Sequence, residues 1–213
     1  MTAGSTSVWL PRVLFESALI TVSILLALGL DEWREDRQNL QTIEQAMSNF
    51  LSEIRQNKAR VDDAAPFNQG LRDVLLARYE AGSIATSADF IGIVESYAPV
   101  VLQATAWETA LATGSVTKMD YNLVSALSLT YGLQDRYQEA TANSAVESLI
   151  PYNIAADTLD VSVYNAVRYL SSVTAMETEL GVVYEEAETV IRNAWMDMRS
   201  ATEEEFRVWA GTY

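Results

Sequence analysis

Glu16 is the one ionisable side chain within VLFESALITVSILLALGL, the 18 residues from Val13 to Leu30. A carboxyl group in such a run either snorkels to the membrane interface or hydrogen-bonds across a contact with another helix. At 100° per residue, Ile20, Ser23 and Ala27 fall within about 40° of Glu16 on a helix. Ser23 and Ala27 form a small-xxx-small pair that lets two backbones approach closely. Glu16, Ile20, Ser23 and Ala27 are therefore the candidate helix–helix contact, with an interfacial, non-contacting Glu16 as the alternative.

Other chemistry is harder to assemble. The chain has no histidine and no cysteine, which removes disulfides, zinc ribbons, thiolate nucleophiles and Ser-His-Asp triads. Glu185, Glu186 and Glu188, and Glu203 to Glu205, are the densest carboxylates. Without a D-x-D-x-D-G loop they read as solvated helix faces rather than metal ligands. Lys58 and Lys118 are the only lysines, neither lies in an S-x-x-K motif, and no glycine pattern suits a phosphate loop. No catalytic residue, cofactor or metal is expected, and the chain does not read as an enzyme. With 29 acids against 14 bases the net charge is −15, so no nucleic-acid partner is expected either. Tyr97, Trp107, Tyr121, Tyr131, Tyr137, Tyr152, Tyr164, Tyr169 and Trp195 either line a cavity between helices or fill a core, and helical spacing favours the core. Arg136 and Arg168 read as partners of nearby acids.

The apolar run must position Glu16. At about 1.5 Å per residue, 18 residues reach about 27 Å, close to the thickness of a hydrocarbon core. Trp9 and Trp33 bracket the run, with Arg12 and the cluster Asp31 to Arg37 as polar stops. Trp9, Arg12 and Trp33 are thus the expected membrane-interface residues. A cleaved signal peptide ending near Ala27-Leu28-Gly29 is the rival reading, and a buried core helix the third. The apolar run is longer than a usual h-region and carries Glu16, which favours a retained span. Arg34 and Arg37 beyond the span, against Arg12 before it, weakly favour a cytoplasmic C-terminal domain.

FESALITVSILLALGLDEWREDRQ resembles the N-terminal anchor of an uncharacterised family of bacterial single-pass membrane proteins. Their anchors run approximately G-E-I-x-L-V-x-I-G-I-L-I-A-L-x-x-x-x-W-x-E-x-R. Glu16 takes the place of the glutamate, Leu26-Ala27-Leu28 that of I-A-L, and Trp33, Glu35 and Arg37 that of W-x-E-x-R. A weaker likeness covers Thr105 to Tyr131, where a helix ends on glycine and another begins near Asp120. The resemblance implies an inner-membrane protein with one N-terminal span and an α-helical domain, periplasmic in members with a basic N-terminus. This chain has only Arg12 there.

The expected fold is all-α: residues 1–12 a short N-terminal segment, 13–30 the anchor, and 31–213 an acidic domain forming an elongated antiparallel bundle. From Asp31 to Ala65 apolar residues recur at Trp33, Leu40, Ile43, Met47, Phe50, Ile54 and Val61, a heptad whose d positions also take Asp36 and Asn57. Packing on the protein's own domain is favoured over an interchain coiled coil, and Pro66 is expected to end the helix. Shorter helices are expected over Gln69–Ala81 with Gly82 as its stop, over Ala88–Tyr97 capped by Ser87, over Thr105–Thr113 stopped by Gly114, and from Asp120 to about Leu149. A last one from Asp160 to Arg199 carries Val163, Val167, Leu170, Val173, Leu180, Val183, Ala187, Val190, Ala194 and Met198. Gly181 is a possible bend in it, and Thr202 can start a final turn.

Two functional classes follow. One is a membrane-anchored interaction or accessory protein that assembles with itself or with a membrane partner. The other is a ligand-sensing helical bundle, weakened by the dozen residues before the span.

Overall fold

A computed structural model describes the backbone of residues 9–142, 154–155 and 157–210, with side chains between residues 13 and 201. The side chains of Trp9, Arg12, Tyr152 and Glu203 to Glu205, and the expected helix beyond Ala142, lie outside the described residues. The chain is all-α, with no strand among the described residues: α1 (Trp9–Glu80), α2 (Ser87–Val94), α3 (Thr105–Thr113), a 3-10 turn (Ser115–Lys118), α4 (Tyr121–Thr141) and α5 (Leu159–Ala210). It divides into two units, Met1–Gln45 and Ala46–Tyr213.

In the first unit α1 is apolar and exposed. No residue of the membrane-length window at its start is buried against the rest of the protein. Two hydroxyls in this stretch are satisfied along the helix, Thr21 Oγ1 donating to the Ser17 carbonyl (2.9 Å) and Ser23 Oγ to the Leu19 carbonyl (2.8 Å). That closure suits surroundings without water, where an unmade hydrogen bond is expensive.

In the second unit the heptad is the core stripe of α1. Met47, Phe50, Ile54, Asn57 and Val61 are buried, and so are Asn68 and Leu75 in the same 3–4 register. Pro66 therefore does not end the helix, contrary to the sequence expectation; it lies inside α1. It removes one i→i−4 bond and strains the turn before it, a penalty of about 3 kcal/mol. Burial of the stripe on both sides of Pro66 offsets this, because stopping there would turn Leu75 off the core.

The glycine stops and the N-caps are found to within a residue, whereas α2 ends at Val94 rather than Tyr97, α4 at Thr141 rather than about Leu149, and the last helix runs past Arg199 to Ala210. Gly82, at φ 61°, closes α1 in a Schellman arrangement, with Gly82 N–H donating to the Tyr79 carbonyl (3.0 Å) and Ser83 N–H to the Arg78 carbonyl (3.0 Å). Gly82→Ala is expected to cost about 1 kcal/mol, through the left-handed backbone alone. A denaturation midpoint unchanged by that substitution would show that the turn relaxes elsewhere. Gly114, at φ 71°, likewise stops α3. The cap of α2 is Thr86 rather than Ser87, because Asp89 three residues on completes a capping box with it. The Thr86 hydroxyl holds the Asp89 carboxyl below its ordinary range. Asp120 caps α4, accepting from Asn122 N–H and Leu123 N–H. The last helix runs through both Gly181 and Thr202.

Side-chain pairs fix the packing. Arg55 meets Glu188 (2.8 Å), Lys58 meets Glu185 (3.2 Å) and Asn68 meets Glu177 (2.7 Å), so this part of α1 and α5 are antiparallel. Tyr184 reaches Gln134 and Tyr137 reaches Glu177, so α4 and α5 are antiparallel too. At the α2 end, Leu75, Phe90, Ile93, Val94, Leu159, Val163 and Leu170 form an apolar cluster.

Candidate functional sites: the exposed anchor and a buried polar seam

Glu16, Ile20, Ser23 and Ala27 are all exposed on α1. The helix brings them to one face, as the angular spacing requires. Trp33 is 60% exposed, and the Arg37 guanidinium lies 5.6 Å from its ring centroid. This cation–π pair fits an interfacial indole with its charge on the water side.

The helical unit carries a feature that apolar periodicity does not reveal. Between α2 and α3 the chain crosses α1 as an irregular segment, residues 97–104. Such a segment has no helix or ladder to satisfy its backbone. Polar side chains in the core stripes do so instead. Asn57 reads both backbone groups of Gln103: Nδ2 donates to its carbonyl (2.6 Å), and Oδ1 accepts from its N–H (3.0 Å). Gln134 Nε2 donates to the same carbonyl (2.9 Å), and Gln134 Oε1 accepts from Asn57 Nδ2 (3.0 Å) and the Tyr184 hydroxyl (2.8 Å). Asn57, Gln134 and Tyr184 are each 0% exposed.

Glu53, one turn before Asn57, serves the next stretch. No side chain of its own caps α3 at Ala104. Glu53 Oε2 accepts from Ala106 N–H (2.9 Å), so α1 provides the cap, and Oε1 accepts from the Tyr131 hydroxyl (2.8 Å). The Tyr131 ring stacks on Trp107 at 5.5 Å and 9°, with Phe50 tilted against both. Burial, and then the bond to Glu53, raise the Tyr131 phenol well above the ordinary tyrosine range.

Further along, Glu177 Oε1 accepts from Asn68 Nδ2 (2.7 Å) and the Tyr137 hydroxyl (3.0 Å), and that hydroxyl accepts from Val100 N–H (3.1 Å). Burial pushes the Glu177 carboxyl above the usual carboxylate range, with the bonds from Asn68 and Tyr137 pulling the other way. Tyr97 meets the Tyr169 ring edge-on at 5.9 Å. Asn68 Oδ1, Glu177 Oε2 and the Tyr97 hydroxyl are buried without a hydrogen-bond partner.

Trp107, Tyr131, Tyr137 and Tyr97 pack into the unit, whereas Tyr121 (80%) and Tyr164 (46%) are exposed. Arg168 lies over the Tyr164 ring at 5.9 Å. Glu185 and Glu188 lie on the solvent side and pair with Lys58, Arg55 and Arg192. Arg55 first, then Arg192, hold the Glu188 carboxyl below its ordinary range. On α5 the core follows Glu177, Tyr184 and Ile191 rather than Val183 and Val190, which are half-buried. Ranking by apolarity alone missed Glu177 and Tyr184; only their place in the 3–4 register pointed to them.

Compared with known families, curated proteins and solved structures, the chain matches none.

Proposed function

We propose that this is a single-pass protein of the bacterial inner membrane, with an acidic helical domain on the periplasmic side. It acts without catalysis, as an interaction or accessory protein that assembles with itself or with a membrane partner. The observation that carries this reading is the exposed membrane-length run at the start of α1, none of it buried against the protein. The polar seam supports the non-catalytic part, because Glu53, Asn57, Gln134 and Tyr184 are engaged with backbone or with each other. Of the aromatic residues a ligand-sensing bundle would need, Trp107 stacks on Tyr131 and Tyr97 meets Tyr169. The anchor's resemblance supports the inner-membrane placement, while the periplasmic side rests on that resemblance against the Arg34 and Arg37 count.

Association runs through Glu16, Ile20, Ser23 and Ala27. Glu16→Ala removes an interhelical hydrogen bond of about 0.5–2 kcal/mol, and Ala27→Leu forces the backbones apart. Both should lower cross-linking of the full chain in membranes, whereas Leu25→Ala, about 180° from Glu16, should not. Equal cross-linking in all variants would reduce the span to a passive tether. A pull-down in mild detergent then separates self-assembly from a partner.

A further inference from the structure

Glu177 differs from Glu53 in one respect. Both oxygens of Glu53 accept a hydrogen bond, from Ala106 N–H and from Tyr131. Glu177 is 1% exposed and has donors on Oε1 alone. Its Oε2 is an orphan, and so is Oδ1 of Asn68, the residue whose Nδ2 already lies 2.7 Å from Oε1. Two planar groups are thus joined by one bond, with an unpartnered acceptor left on each. Two buried acceptors cannot satisfy each other, and leaving both unmade is costly. A single hydrogen between them removes both penalties, and the only group of the pair that can gain one is the carboxyl.

The surroundings fit a neutral acid. From α4, the Tyr137 oxygen accepts from Val100 N–H, so its hydrogen is turned to Glu177 Oε1. From α1, Arg72 is the nearest cation in sequence to Asn68. Its guanidinium is engaged with Asp73 (2.6 Å) and with Thr174 Oγ1 (3.3 Å). Tyr97, from the segment after α2, and Tyr169, from α5 itself, are uncharged phenols raised chiefly by burial. The one cation among them, Arg72, is bonded to Asp73 and Thr174 and not to Glu177.

We propose that Glu177 is protonated in the folded protein and closes a cyclic acid–amide pair with Asn68, Oε2–H donating to Oδ1, as a latch between α1 and α5 that weakens as pH rises. The proton is taken up from solvent on folding and released when the latch ionises. Since Glu177 is raised by burial, its contribution to stability is fully present below the unfolded carboxyl value. It is lost as pH rises toward the folded value, by up to about tenfold in the folding equilibrium per pH unit. The inference is independent of how the anchor is used.

The test uses the full chain in neutral detergent, with Glu16→Gln as background so that the only carboxyl in the span is removed. Glu177→Gln keeps a donor toward Asn68 Oδ1 and an acceptor for Asn68 Nδ2, with no proton to lose. The melting temperature of the Glu177→Gln chain should equal that of its parent in acid and exceed it at pH 8–9. Infrared spectra of the parent at neutral pH should show a protonated-carboxyl band that disappears in Glu177→Gln. A variant that melts lower than its parent by the same margin at every pH overturns the latch. If the variant fails to fold, the parent's spectrum decides: a protonated-carboxyl band lost as pH rises supports the latch, and no such band at neutral pH overturns it.

Discussion

Asn57→Ala is expected to destabilise the helical unit by about 2–3 kcal/mol. The Gln103 carbonyl keeps Gln134 Nε2, and Gln134 Oε1 keeps the Tyr184 hydroxyl. Gln103 N–H keeps nothing, because Asn57 Oδ1 is its acceptor. An orphaned, partly buried N–H costs about 1–3 kcal/mol, and the lost packing at a fully buried position adds to it. Asn57→Asp sharpens the prediction. It retains the acceptor for Gln103 N–H but turns a carboxylate oxygen toward the Gln103 carbonyl and Gln134 Oε1, both acceptors. Its destabilisation should exceed that of alanine at neutral pH and shrink in acid. The measurement is denaturant or thermal unfolding of the full chain in detergent, with exposed Gln56→Ala as the control near zero. Asn57→Ala behaving like Gln56→Ala would mean that water, not Asn57, satisfies the segment.

That prediction also marks where the sequence stops being legible. The heptad from Met47 to Val61, the glycine stops and the Asp120 cap depend on residues within a few positions, and they can be read locally. The heptad also placed Asn57 at a core position, where it looked like an interruption. What it interrupts for is invisible locally, since its partners, Gln103 and Gln134, lie 46 and 77 residues away. The same holds for Pro66. A local rule ends the helix there, while a core stripe resuming in register at Asn68 and Leu75 carries it through. Apolarity ranks Glu177 and Tyr184 below Val183 and Val190. In three dimensions their polar tips answer Asn68 and Gln134, and their stems fill the stripe. Polar residues in register on long helices are thus a signal in themselves: they imply an irregular segment crossing the bundle whose backbone needs partners. The anchor's stripe has no comparable check within this chain, since all four of its residues are exposed.

The largest effect is expected from charging the span away from that stripe. Val22 and Leu26 lie about 120° and 80° from Glu16 around the helix, and they are 52% and 63% exposed. An arginine near the centre of a span opposes insertion by about 2.5–3.5 kcal/mol, and each replaced aliphatic residue forfeits a few tenths more. Val22→Arg with Leu26→Arg therefore shifts insertion by about 6 kcal/mol, or roughly four orders of magnitude. The double variant should leave the carbonate-resistant membrane fraction. Its far-UV circular dichroism should remain strongly helical, since Ala46–Tyr213 keeps its own core. If it stays in the membrane pellet, something other than this helix holds the protein there, and the anchor reading fails. If the unaltered chain is recovered soluble and beginning near Leu30, the run is a cleaved leader. The acidic bundle would then act free of the membrane. The Glu177 latch would survive that outcome, because every residue in it lies beyond Gln45.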